Sequence, residues 1–191
     1  MTDQETMSRS ETAEDAYREL GKIVFGDQPL GAVLLRVAEL ARDVIPEIDD
    51  ASVTLIRHQK PTTVVFTSEL AVDLDERQYE SGFGPCLDAA ESGKTIALVH
   101  SDDSTSPYPR FSEAAQKRRV TRTLSVGLPI PQRVVGALNL YSRRSEPFAP
   151  ESVAVAEAFA GYAGSPSRTQ HWCRRVVTWP SRCIRRCRPE P

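Results

Sequence analysis

Apolar residues recur along this chain first with the period of a helix and then with that of a strand. Tyr17, Leu20, Ile23 and Val24 fall at helical spacing behind Ser10 or Thr12, either of which can cap a helix running to about Phe25. Gly26-Asp27-Gln28 interrupts it. Pro29 suits the first turn of a second helix over about 29–45, where Leu30, Val33, Leu34, Val37, Leu40, Ala41 and Val44 form a wide apolar stripe before Pro46. From Ala51 the pattern turns to β-branched and aromatic residues. Residues 51–57 and 62–67 predict two strands joined by the turn His58-Gln59-Lys60-Pro61. Residues 68–82 are polar and predict helix in part. Gly82-Phe83-Gly84-Pro85 predicts a tight loop, 86–92 a short helix stopped by Gly93, and 95–99 a short strand. Residues 101–109 are loop by composition, 110–119 a helix, and 123–130 and 133–141 two strands about a turn that carries Pro129 and Pro131. Residues 150–161 predict the last helix. No internal repeat is visible.

A hairpin joins the last two strands, so the sheet is expected to be mainly antiparallel, with five or six strands. The long helices 12–25, 29–45 and 150–163 are expected on one face, an α+β arrangement. The strand over 134–140 is apolar on both sides. Something must therefore cover the second face, and the short helices 86–92 and 110–119 are the available cover, with a cleft between them and the sheet.

Composition changes the picture at Gly164. Residues 165–191 carry seven Arg and a single acid, four Pro, three of the chain's four Cys and both of its Trp. Removing that segment from the chain's 24 basic and 26 acidic residues leaves 17 against 25. The expected organisation is therefore an unstructured start over 1–11, one domain over 12–164, and an atypical tail over 165–191. The tail has Val176, Val177 and Ile184 as its only large aliphatic residues. That is too little to offset backbone ordering at about 1–2 kcal/mol per residue, so no packed core is expected there. Its composition is what a GC-rich gene gives when read out of frame.

Charge and cysteine content narrow the function. An acidic body argues against nucleic-acid binding by the body itself, because phosphate contacts need clustered cations. No apolar run approaches the roughly 18–20 residues that span a bilayer, and the polar start shows no secretory leader. One cysteine, Cys86, in the body fits a reducing cytosol.

The segments PLGAVLLRVAELARDVIP, ASVTLI, GFGPCLDAAESGKTI, SPYPRF, TLSVGLPIPQRVVGALNLYS and PESVAVAEAFAGYAG, in this order and spacing over about residues 12–163, resemble the GAF domain, a small-molecule sensing module. The nearest flavour is that of actinobacterial GAF–ANTAR regulators, in which a C-terminal helical segment binds RNA and prevents transcription termination. The resemblance implies a PAS-related fold, a ligand cleft on the second face of the sheet, and pairing through the first and last helices. No ANTAR-like helices follow Gly164. The expected protein is thus a cytosolic sensor derived from an antitermination regulator and not an enzyme, with RNA as a partner only if an output segment is present. Two alternatives stand beside it. One is an RNA-binding regulator. The other is a GAF-type methionine sulfoxide reductase, which uses several pocket cysteines where this body has only Cys86.

The candidate ligand-binding residues are Phe66, Phe83, Cys86, Leu87, Tyr108, Phe111, Ser125 and Asn139. Ser125 and Asn139 are polar residues in otherwise apolar strands, able to point into a cleft or to be satisfied within a filled core. Cys86 opens a short helix. It reads either as a pocket thiol with its pKa lowered by the helix N-terminus, or as a small buried residue. Gly82 and Gly84 read as turn formers, since no third glycine and no preceding strand make a dinucleotide fingerprint. His58 and His100 are expected to be solvated. The tail's His171, Cys173, Cys183 and Cys187 match no zinc spacing, so no metal is expected, and the ligand's identity is open. A weak dimer through the terminal helices is expected from Val153, Val155, Ala156, Phe159, Ala160, Tyr162 and Ala163.

Overall fold

The computed structural model describes residues 18, 21, 29–100, 106–128 and 135–163. The expected helix 12–25, all but two of its residues, the turn at 129–132 and the tail 165–191 lie outside them. The described elements are α1 (Leu30–Val44), β1 (Asp50–Arg57), β2 (Lys60–Phe66), α2 (Glu69–Ser81), α3 (Pro85–Ser92), β3 (Thr95–Val99), α4 (Pro109–Lys117), β4 (Arg122–Leu128), β5 (Val135–Ser142) and α5 (Pro150–Ala163). The segment 68–82, expected to be helical in part, is one unbroken helix. Ser68 caps it by accepting from the Ala71 amide.

The five strands form one sheet in the order β2-β1-β5-β4-β3, every neighbour antiparallel. A register shift between Val53 and Thr54 bends the β1–β2 ladder. β5 lies at the centre, and all of it beyond Val135 is buried, as its two-sided apolar run requires.

Period-two alternation sorts the strand residues onto two faces. Ala51, Val53, Leu55, Leu124, Val126, Leu128, Leu138 and Leu140 meet the buried stripe of α1 together with Ala156, Phe159, Ala160 and Ala163 of α5. Glu47 fixes the start of α5, accepting from the Ala149 amide and the Ser152 hydroxyl at 3.3 and 2.8 Å. On the opposite face α2, α3 and α4 cover the sheet, with α2 resting on both α3 and α4. The short helices expected there are joined by α2. Gly127 of β4 lets α3 sit flush: a Cβ at that position would lie 2.4 Å from the Ala89 carbonyl oxygen and 2.6 Å from Gly93 Cα.

Candidate functional site

The second face carries polar atoms at its centre. Asn139 of β5 is the register partner of Ser52 on β1 and of Ser125 on β4, so these three form a row across the middle strands. Thr54 and Tyr141 extend the row on either side. Above it, α2 turns Ala71, Leu74, Asp75 and Gln78 inward, the helical stripe that a spacing of three and four produces. Ser52, Thr54, Asp75, Gln78, Cys86, Ser125, Asn139 and Tyr141 are all fully buried.

The hydrogen bonds among them have a forced direction. The Thr63 hydroxyl donates to Asp75 at 2.8 Å. Its single proton is then used, so the Tyr79 hydroxyl, 2.8 Å away, must donate to Thr63. Tyr79 in turn accepts from Thr54 at 2.8 Å. Thr54 then serves as acceptor for the Asn139 amide at 3.0 Å and for the Cys86 thiol at 3.2 Å. The Asn139 amide also donates to Asp75 at 3.1 Å and lies 3.3 Å from the Ser52 hydroxyl, while its carbonyl accepts from Ser125 at 3.1 Å. Tyr141 donates to Asp75 at 2.5 Å. Every proton in this chain runs toward Asp75.

Among the described residues, the groups that hydrogen-bond Asp75 are Thr63, Tyr141, Asn139 and Ser52, all uncharged. Burial raises its carboxyl to about 6, although those four bonds pull the other way. Burial, and then the Asp75 charge, push the Cys86 thiol and the Tyr79 and Tyr141 hydroxyls well up. Cys86 is therefore a thiol, not a thiolate, and of the two readings offered for it the small buried residue holds and the lowered pKa does not. The α3 N-terminus does not reach the sulfur with free amides, because Gln78 Oε1 accepts from the Cys86 N–H at 2.8 Å. Gly84 makes room for that amide group: a Cβ there would meet Gln78 Oε1 at 2.4 Å. Gln78 Nε2 is buried with no hydrogen-bond partner among the described residues.

Around this network lies an aromatic rim. Phe66, Tyr108, Phe111 and Tyr141 pack in one cluster with Ala71, Leu74 and Ala115. Phe83 is 50% exposed and packs tilted on Tyr108, ring centroids 4.9 Å apart. The Tyr108 hydroxyl donates to Asp88 at 2.7 Å, tying the start of α4 to α3. His100, expected in solvent, is instead buried. Its Nδ1 lies 3.1 Å from Ser112 Oγ and its Nε2 2.8 Å from Thr123 Oγ1, and its ring meets that of Phe111 edge to face with centroids 5.4 Å apart. Burial lowers its pKa to about 4. The reason is α4, which folds over the strand end where the histidine emerges. His58 is exposed.

The structure thus puts Cys86, Ser125 and Asn139 in one hydrogen-bonded network, Leu87 partly buried beside Cys86, Phe66, Tyr108 and Phe111 in the adjoining aromatic cluster, and Phe83 exposed on Tyr108. Sequence reasoning missed Asp75, Gln78 and Tyr79. A signal existed: the helical stripe begun by Ala71 and Leu74 runs on through Asp75 and Gln78.

A family profile described as GAF domain matches residues 10–165. The chain belongs to the GAF-domain family. Solved GAF structures share the fold. The GAF domain of a phosphoenolpyruvate-protein phosphotransferase from Coxiella burnetii is 17% identical, with a TM-score of 0.63 over 88% of this chain and 98% of that one. The phycocyanobilin-bound GAF domain of a cyanobacterial phytochrome is 9% identical, with a TM-score of 0.63 over 86% and 97%. A type II free methionine-R-sulfoxide reductase from Thermoplasma acidophilum is 13% identical, with a TM-score of 0.50 over 71% and 89%. No curated protein matches. Among the described residues, no helix of this GAF domain is long and apolar enough to cross a membrane.

Proposed function

We propose that the chain is a sensor GAF domain that takes a small molecule on the second face of its sheet, among Phe66, Phe83, Cys86, Leu87, Tyr108, Phe111, Ser125 and Asn139. The observation that carries this reading is the polar network at the centre of that face. An apolar filling would be cheaper, because each buried polar group must recover its lost hydration. Polar groups kept at such a position, ringed by aromatic side chains, are the composition of a ligand site. The phycocyanobilin-bound relative supports it by analogy of fold. Native mass spectrometry of the full chain purified from its own cytosol tests it. A copurified compound that raises the melting temperature when added back is expected. A chain that carries nothing, and that no metabolite extract stabilises, overturns the reading.

The proposed setting is a regulator of transcription, from the antitermination class that the sequence resembles. Its output would depend on a segment beyond residue 164. Pairing through the terminal helices belongs to the same proposal, on a smaller surface than the sequence suggests. Ala156, Phe159, Ala160 and Ala163 are consumed by the core, and Val153 and Val155 pack against it, which leaves Ala154 and the 36% exposed Tyr162 as exposed apolar residues on α5.

The reductase reading has one observation in its favour, the fold shared with the Thermoplasma acidophilum enzyme. Against it stands Cys86: a fully buried thiol with a raised pKa, hydrogen-bonded to Thr54, is a poor nucleophile.

A further inference from the structure

Asp75 and Gln78 sit one turn apart on the inner side of α2 and leave two needs unmet. Asp75 is an acid whose hydrogen-bond partners among the described residues are all neutral. Four such donors stabilise a carboxylate but do not cancel its charge, and a buried charge is best compensated by an opposite one. The cation nearest in sequence, Arg77, pairs with Asp73 and Glu80, and Arg118, just past α4, is bound to Asp73. The titratable groups facing Asp75 are Tyr79 from its own helix, Cys86 from α3 and Tyr141 from β5, and each holds its proton at neutral pH. Gln78 Nε2, by contrast, is a buried donor lacking an acceptor among the described residues. Among the described residues that meet the network none is cationic: Tyr79 and Tyr141 reach it through their hydroxyls, and Phe66, Tyr108 and Phe111 pack with Tyr141. A buried carboxylate without a cationic partner favours a cation over an anion.

We propose that the ligand of this face is a small organic cation that also carries a hydrogen-bond acceptor, its charge set against Asp75 and its acceptor against Gln78 Nε2. This rests on the sensor reading above and deepens it by naming the ligand's chemistry. Entry requires the Phe83–Tyr108 rim to part, because side chains fill the face in the closed arrangement.

Matched probes isolate the charge. Choline is compared with its uncharged carbon isostere, and the ring-N-methylated nicotinamide cation with neutral nicotinamide, which keeps the same carboxamide acceptor. Thermal shift and calorimetry are run on the full chain at millimolar probe. The cations are expected to bind at least about tenfold more tightly than their neutral partners, a factor worth about 1.4 kcal/mol. Asp75→Asn is expected to abolish that preference. Proton and cation compete for one carboxylate, so the wild-type affinity for the cations should fall about tenfold per pH unit below about 6. This pH profile needs no variant and survives if Asp75→Asn does not fold. Equal binding of the neutral probes, or an affinity flat across that pH range, overturns the inference. If no probe binds and native mass spectrometry releases a neutral or anionic compound, the inference falls while the sensor reading stands. If neither probe nor copurified compound is found, both fall.

Discussion

Asp75 and His100 are buried groups that resist charge in opposite senses, and their pH effects on stability should nearly cancel. The folded-state pKa of Asp75 is raised to about 6 from 3.8, so between these values the folded chain holds more protons than the unfolded one, and its contribution weakens stability as pH rises. His100 is lowered to about 4 from 6.5, so the unfolded chain holds more protons in that window, and stability is lost as pH falls. Each shift corresponds to roughly 3 kcal/mol. Urea unfolding from pH 7 to pH 4 should therefore show His100→Gln gaining stability on acidification and Asp75→Asn losing it, with the wild type between them. Parallel slopes for the two variants would remove one of the two from its assigned role. At this scale the sequence was half legible. Ser125 and Asn139 stood out because they interrupt apolar strands. Asp75 did not, because α2 also carries Asp73 and Glu76, and only the short stripe from Ala71 through Leu74 to Gln78 tells which acid turns inward. His100 was misread because its burial comes from α4, which is remote in sequence.

Among the elements, the strands and helices were legible because changes of hydrophobic period mark their ends, and both faces of the sheet follow from alternation. The close seating of α3 was not, since Gly127 reads as an ordinary strand glycine until Ala89 and Gly93 are seen above it. Gly127→Ala should cost about 1–3 kcal/mol by overpacking, measured from the urea midpoint at unchanged slope. The contact between α3 and α4 depends on Tyr108 and Asp88. A hydrogen bond to a charged acceptor contributes about 1.5–3 kcal/mol, so its loss should raise the population of an opened rim by about tenfold or more. Labelling of Cys86 by a disulfide reagent reads this directly, in a chain whose Cys173, Cys183 and Cys187 are serine. Tyr108→Phe should speed labelling by about that factor without denaturant dependence. A rate that rises only with urea would mean that the thiol is reached through global unfolding instead.

For the whole molecule, the sheet order and the division of helices between its faces put the proposed ligand face on one side and the α1 and α5 helices on the other. Any signal must then cross the sheet, and β5 is the shortest route, since Asn139 and Tyr141 face the network while Leu138 and Leu140 face α1 and α5. Light scattering across a concentration series should show a weak dimer at high micromolar chain, weakened further by Tyr162→Asp. A strict monomer there would leave the relay without a receiver.

The members of the Asp75 network come from Ser52 to Tyr141, with single hydrogen bonds joining residues 85 and 87 positions apart. No fragment of the chain and no partly docked helix can hold it. The proposed site would therefore exist only in the finished fold: a nascent or damaged chain would have none, rather than a weak one. A compound bound there would stabilise finished molecules alone, by mass action on the folded state.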